Sequence, residues 1–206
     1  MRGDEKLIIT SDEIRIDDSK QRTTSRVMHK GELSLMQKLA EIATKNGGDI
    51  LEIGFGLHLS ADAVQSNPSV TSHTIIEVHP EIYLSAIEWA KDKRNVTVIL
   101  GDWVKILPTL NQKFDGVLHD THLDPNLSRF LEYIKPNCKA GTIVAFFDLP
   151  VKDSRVNGHL HQLSEEEYQS LPYRSHLAFK SNQFELKYTR FNGTDFEKDK
   201  NIKRIL

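Results

Sequence analysis

Five short apolar runs alternate along this chain with stretches of helical spacing, and that alternation restricts the fold more than any other feature. The runs cover residues 49–53, 72–77, 96–100, 114–119 and 142–147. Their cores are near-continuous in apolar residues rather than apolar at every second position, as in strands covered on both faces. Parallel strands need long crossover connections, and the segments between these runs are long enough to be helices. The expected class is α/β, a doubly wound and mainly parallel sheet with helices on both faces. A helix is expected at 32–43, where Leu35, Met36, Leu39, Ile42 and Ala43 share a face and Gly47-Gly48 end it. Others are expected near 60–65, 81–91, 103–107, 127–134 and 164–171. Runs 176–180 and 184–191 read as a closing antiparallel strand pair, which makes seven strands. Residues 1–26 are polar with weak alternation at Leu7, Ile9, Ile14 and Ile16. They predict a short hairpin or arm ahead of a main domain at 27–206.

Composition excludes several partners. The chain of 206 residues has a formal net charge of −2, which offers no basic face for nucleic acid. Lys198, Lys200, Lys203 and Arg204 cluster, but Glu197 and Asp199 interleave them, as on a solvated tail. No apolar run approaches the ~20 residues of a membrane span, and Leu7-Ile8-Ile9 is too short for a signal-peptide core. A cytoplasmic protein without membrane or nucleic-acid partners is expected. Cys138 is the single cysteine, so no intrachain disulfide can form. It sits in a polar turn and reads as a bystander.

In a doubly wound sheet, ligands bind outside the carboxyl ends of the strands, where the strand order reverses. The first run ends in Glu52-Ile53-Gly54-Phe55-Gly56, a turn that can approach a ligand closely. The second ends in Glu77-Val78, an acid placed to accept from two ribose hydroxyls. The third ends in Gly101-Asp102-Trp103, a carboxylate for an adenine amino group and an indole to stack on the ring. A dinucleotide site would want a third glycine, and His58-Leu59 stand there instead. S-adenosylmethionine has no phosphate to place and suits the turn better. S-adenosyl-L-methionine is therefore the expected cofactor. The run His119-Asp120-Thr121-His122-Leu123-Asp124 has metal-ligand chemistry, yet strand alternation sends His119 away from Asp120, and no metal is expected.

A wider pattern carries a family resemblance. Val27-Met28-His29-Lys30-Gly31-Glu32-Leu33-Ser34-Leu35-Met36 precedes Leu51-Glu52-Ile53-Gly54-Phe55-Gly56 and Ile75-Ile76-Glu77. Gly101-Asp102-Trp103 and Leu107-Pro108-Thr109-Leu110 follow, then Phe114-Asp115-Gly116-Val117-Leu118-His119-Asp120-Thr121. From about Val27 to Thr121 the chain resembles guanidinoacetate N-methyltransferases and the related fungal arginine N-methyltransferases. These are class I transferases with a Rossmann-like seven-stranded sheet. The resemblance implies that Glu32 and Asp120 grip the guanidinium of a small-molecule acceptor. It also implies that Met36 packs near the cofactor and that Glu77 and Trp103 hold its ribose and adenine.

The residue chemistry is compatible with that assignment. Two carboxylates can hold a planar guanidinium in a fork. Asp120 can take the departing proton while Glu32 holds the far side. Thr121, His122 and Asp148 are expected on the acceptor side, and residues 10–28 are expected to act as a lid. The family has a tryptophan where this chain has Gly31 and a tyrosine where it has His122, so the reaction type carries over more readily than the acceptor. A protein arginine acceptor, an O-methyltransferase and a non-catalytic binding protein are the alternatives, and a monomer or homodimer is expected.

Overall fold

The computed structural model describes residues 3–18, 23–93, 95–121, 129–148 and 185–196. Three antiparallel strands come first: β1 (Leu7–Ile9), β2 (Glu13–Asp18) and β3 (Thr23–His29), in the order β1-β2-β3. The expected hairpin is thus a three-stranded meander, and β3 runs across the expected boundary between residues 26 and 27. The third strand escapes pattern reading for a physical reason. A register shift between Ile14 and Arg15 breaks the period-two alternation. Leu7, Ile14 and Met28 are buried, while Ile8 and Ile9 stay exposed.

A short 3-10 turn, Lys30–Glu32, leads into α1 (Leu33–Ala43). Then follow β4 (Gly48–Ile53), α2 (Leu59–Ser66), β5 (Val70–Glu77), α3 (Pro80–Ala90) and β6 (Val96–Leu100). The chain continues through α4 (Trp103–Ile106), β7 (Phe114–His119), α5 (Phe130–Ile134), β8 (Cys138–Asp148) and β9 (Glu185–Arg190). The second sheet has the order β6-β5-β4-β7-β8-β9. Its first five strands are parallel and β9 runs antiparallel to β8. The mainly parallel α/β sheet expected from the apolar runs is therefore the observed one. The expected helix at 164–171 and strand at 176–180 lie outside the described residues.

Alternation along β4 distributes the core. Ile50 joins Leu39, Ala40, Ala43 and Val64 of α1 and α2 on one face. Leu51 and Ile53 join Trp103, Phe114, Phe130 and Ile134 on the other. The small residues of α1 matter for this packing. A Cβ on Gly116 of β7 would stand 2.0 Å from the Ala43 carbonyl, so only glycine lets that helix end lie so close to the sheet.

The chain runs outward from β4 through β5 to β6, then returns to the other side of β4 for β7 and β8. The strand order reverses at β4, which puts the switch-point crevice at the carboxyl ends of β4, β5 and β7. At the opposite ends, Lys139 Nζ ties Asp49 (2.8 Å) to Asp115 (2.7 Å). Among the described residues, no helix is long and apolar enough to cross a membrane.

Candidate active site

The glycine turn after β4 is locked by its neighbours on both sides. Gly54 donates to the Ile76 carbonyl (2.9 Å), and Asp120 donates to the Ile53 carbonyl (3.0 Å). Gly54 has φ +89°, and a Cβ there would stand 2.1 Å from the Asp120 carbonyl oxygen. A side chain at this position would push β4 and β7 apart where the crevice forms. Gly56 has φ +53°, and a Cβ there would meet the Met28 sulfur at 2.5 Å. That sulfur also accepts the Leu57 N–H at 3.1 Å. The amino-terminal sheet is thereby seated directly on the turn.

Glu77 closes the turn from the β5 side. Its Oε2 accepts from Phe55 N (2.9 Å) and its Oε1 from His79 N (2.8 Å). The carboxylate is buried. Burial pushes its pKa up, while the His79, Phe55 and Val78 backbone donors hold it down. The carboxylate has about four acceptor sites, one more than these three backbone donors, and a ribose hydroxyl can use the remaining one. Val78 is half-buried, with its carbonyl oxygen 2.7 Å from where a Gly3 Cβ would stand. His79 Nε2 lies 2.7 Å from the Glu5 carbonyl, so the first residues of the chain cross this strand end.

Three residues expected on the cofactor side are engaged within the protein. Glu52 is fully buried, and its charge reaches Asp120. It accepts from the Ser60 hydroxyl of α2 and lies 2.8 Å from His73 Nε2 of β5, too poorly aligned for a hydrogen bond. It is a structural acid between two elements, because alternation along β4 sends it to the α2 face. The Phe55 side chain also turns into the core, edge-on to Trp89 with ring centroids 5.4 Å apart. Only its backbone serves the turn. Trp103 is 6% exposed and packs edge-to-face against His119, Phe130 and Tyr133 at 5.4–5.6 Å. It is a core residue in this structure, not an open stacking surface. Asp102, half-buried, caps α4 by accepting from Val104 N (3.0 Å), while Gly101 donates to the Glu77 carbonyl (2.8 Å).

Met36 is buried with Met28 and Leu59, an apolar group beside the glycine turn. Across the 3-10 turn that precedes its helix, His29 and Glu32 cap each other. The His29 N–H donates to Glu32 Oε1 (2.9 Å), and the Gly31 N–H donates to His29 Nδ1 (2.9 Å). Glu32 is 7% exposed. Its pKa is pushed up to about 8 by burial and then by the negative charge of Asp120, against the His29 hydrogen bond and the Arg26 charge. Asp120, half-buried at the end of β7, is pushed up to about 7 by burial and then by the charge of Glu52.

The structure thus brings Glu32 and Asp120, 88 positions apart in the chain (120 − 32), within electrostatic reach of one another. Two acids whose proton affinities are raised by burial and by neighbouring negative charge make a site suited to a cation that also carries a proton. Thr121 is half-buried, with its methyl 3.5 Å from where a Gly54 Cβ would stand. The Asp148 position ends β8, in register with Glu185 of β9, and His122 lies outside the described residues.

Sequence reasoning passed over His29, Met28 and His73. His29 stands three positions before Glu32, the capping-box spacing, but an imidazole is not the usual capping group. A polar crevice of about 470 Å³ lies elsewhere, between the end of α2 and the segment before β6. Asp62, Thr71 and Ser72 on its wall are committed to bonds within the protein.

Residues 12–134 match the family described as guanidinoacetate N-methyltransferase. Protein arginine N-methyltransferase 2 of Yarrowia lipolytica is 31% identical over 149 residues, covering 64% of this chain and 31% of its own length. The chain therefore spans about a third of that curated relative. Among solved structures, a spermidine synthase in complex with the transition-state analogue AdoDATO superposes with a TM-score of 0.51 at 15% identity, over 69% of this chain and 55% of its own. An O-methyltransferase from Bacillus cereus in complex with SAH gives 0.48 at 20% identity, over 59% and 58%. At 15% identity, the likeness to the spermidine synthase is one of fold.

Proposed function

The chain belongs to the guanidinoacetate N-methyltransferase family, and on that premise we propose that it methylates a nitrogen of a small guanidine or amine, with S-adenosylmethionine as donor. The observation that carries this reading is the Glu32–Asp120 pair: two acids beside the glycine turn at the switch point, both raised, with the charge of Asp120 acting on Glu32. Cofactor residues that fit are Glu77, whose carboxylate keeps an acceptor site beyond its backbone donors, the backbone of Gly54 and Gly56, and the apolar wall of Met36. The turn offers no phosphate cradle, and this donor needs none.

When bound, S-adenosylmethionine supplies an electrophilic methyl on a sulfonium sulfur. Glu32 and Asp120 bind the acceptor and orient one nitrogen in line with that carbon, the positioning from which most of the rate would come. Transfer to that nitrogen would leave the C–S electron pair on sulfur, and Asp120 would take the nitrogen's proton as the N–C bond forms. A guanidinium pKa above about 12 makes prior deprotonation costly, so proton transfer belongs with the attack. An Asp120 carboxyl raised to about 7 is a better proton acceptor than an ordinary aspartate.

Titration calorimetry with S-adenosylmethionine and S-adenosylhomocysteine, followed by guanidinoacetate or arginine, tests the reading. Cofactor binding that a guanidine strengthens is the expected result. Cofactor binding without that coupling removes the guanidine, and no cofactor binding removes the activity. The Yarrowia relative favours a second reading, an arginine side chain of a protein as acceptor. Methyl incorporation into an arginine-containing peptide, with none into free guanidines, would select it.

A further inference from the structure

We propose that His29 is the positioning residue of the acceptor side. Its reciprocal cap holds Oε1 of Glu32 on the protein and so fixes the direction in which the carboxylate meets the acceptor. The inference rests on the two-carboxylate reading above and specifies how one of the two is held.

Glu32 occupies the residue just before α1, yet its carboxylate makes no capping bond to that helix. It turns back instead, across the 3-10 turn, to the His29 N–H at 2.9 Å. Its direction is therefore set by His29 and not by the helix it precedes. His29 is itself anchored. It ends β3 in register with Glu13 of β2, and the next residue, Lys30, donates to the Asp12 carbonyl at 2.8 Å.

The imidazole completes the device. Nδ1 accepts the Gly31 N–H at 2.9 Å, which needs a ring with Nδ1 unprotonated. This contact also accounts for the glycine. Gly31 does not have the left-handed φ that would demand glycine. A Cβ there would stand 3.0 Å from His29 Nδ1, so a side chain at 31 would press on the ring that fixes Glu32. His29 and Gly31 act as one unit. With Oε1 held by the His29 N–H, the Glu32 carboxylate keeps one direction, in which the acceptor cation bridges it and Asp120.

The test compares His29→Ala and His29→Asn with the wild type, at saturating S-adenosylmethionine, using whichever guanidine the wild type methylates. Asparagine can place Oδ1 where Nδ1 stands and restore the acceptor for Gly31 N–H. His29→Ala is expected to raise the acceptor KM about tenfold with kcat within about twofold, and to leave the cofactor Kd unchanged. His29→Asn is expected to recover KM to within about threefold of wild type. A KM unchanged in His29→Ala, a parallel loss of cofactor affinity, or no recovery with asparagine overturns the proposal.

Should the wild type methylate no guanidine, the functional reading fails, and amide exchange at His29 and Gly31 tests the cap by itself. Protection lost in His29→Ala and regained in His29→Asn supports the cap. Protection equal in all three proteins overturns it.

Discussion

The Glu77 carboxylate, at the end of β5, accepts the Phe55 N–H of the glycine turn at 2.9 Å, so the acid expected to meet a ligand also holds the turn that shapes its site. Glu77→Ala would orphan the Phe55 and His79 donors together. Each buried donor left unpaired costs about 1–3 kcal/mol. The expected outcome is a loss of at least about 2 kcal/mol in urea unfolding, with cofactor affinity reduced more than tenfold. Full stability with normal affinity would show that the turn closes without this acid.

The Glu32–Asp120 pair predicts a pH dependence whose sign follows from linkage. Both acids have folded pKa values raised above their unfolded ones, to about 8 and about 7. The folded state therefore binds more protons than the unfolded one between the ordinary carboxylate range and pH 8. The stability they contribute is fully present below the ordinary carboxylate range and is lost progressively as pH rises from there to about 8. Urea midpoints of the ligand-free protein should fall across that window, and Glu32→Gln should flatten the fall. A guanidinium should also expel protons on binding. Calorimetry at pH 7 in buffers of different ionisation enthalpy should detect that release.

Asp120→Ala should abolish methyl transfer, by at least about 100-fold, because it removes both a grip on the cation and the proton acceptor. Cofactor affinity should stay within a few-fold. Equal loss of transfer and cofactor binding would make Asp120 a structural residue.

Glu52 and His73 form a buried contact, so removing one partner leaves the other uncompensated. His73→Ala should cost about 3 kcal/mol or more in chemical denaturation. Replacing the pair with apolar residues of similar volume should recover much of that loss, because desolvation of the pair is relieved. A His73→Ala protein as stable as the wild type would sink the structural role assigned to Glu52.

Much of this protein is legible in local pattern. The apolar runs determine five parallel strands, and the spacing of Leu35, Met36, Leu39 and Ala43 determines α1, because side-chain periods of two and 3.6 are properties of a single element. Acids at strand ends are equally local, so Glu77 and Asp120 could be placed at the crevice before any coordinates. Which way a side chain turns was not local. Glu52 stands inside the motif yet points to Ser60 and His73, and Trp103 follows its strand yet packs among His119, Phe130 and Tyr133. Those outcomes depend on what β5, α2 and α5 bring alongside. The meeting of Glu32 with Asp120 is of the same kind. A capping turn sets the direction of one and the end of a parallel strand sets the other. Only the sheet order, with β7 inserted beside β4, places Asp120 close enough for its charge to raise the proton affinity of Glu32.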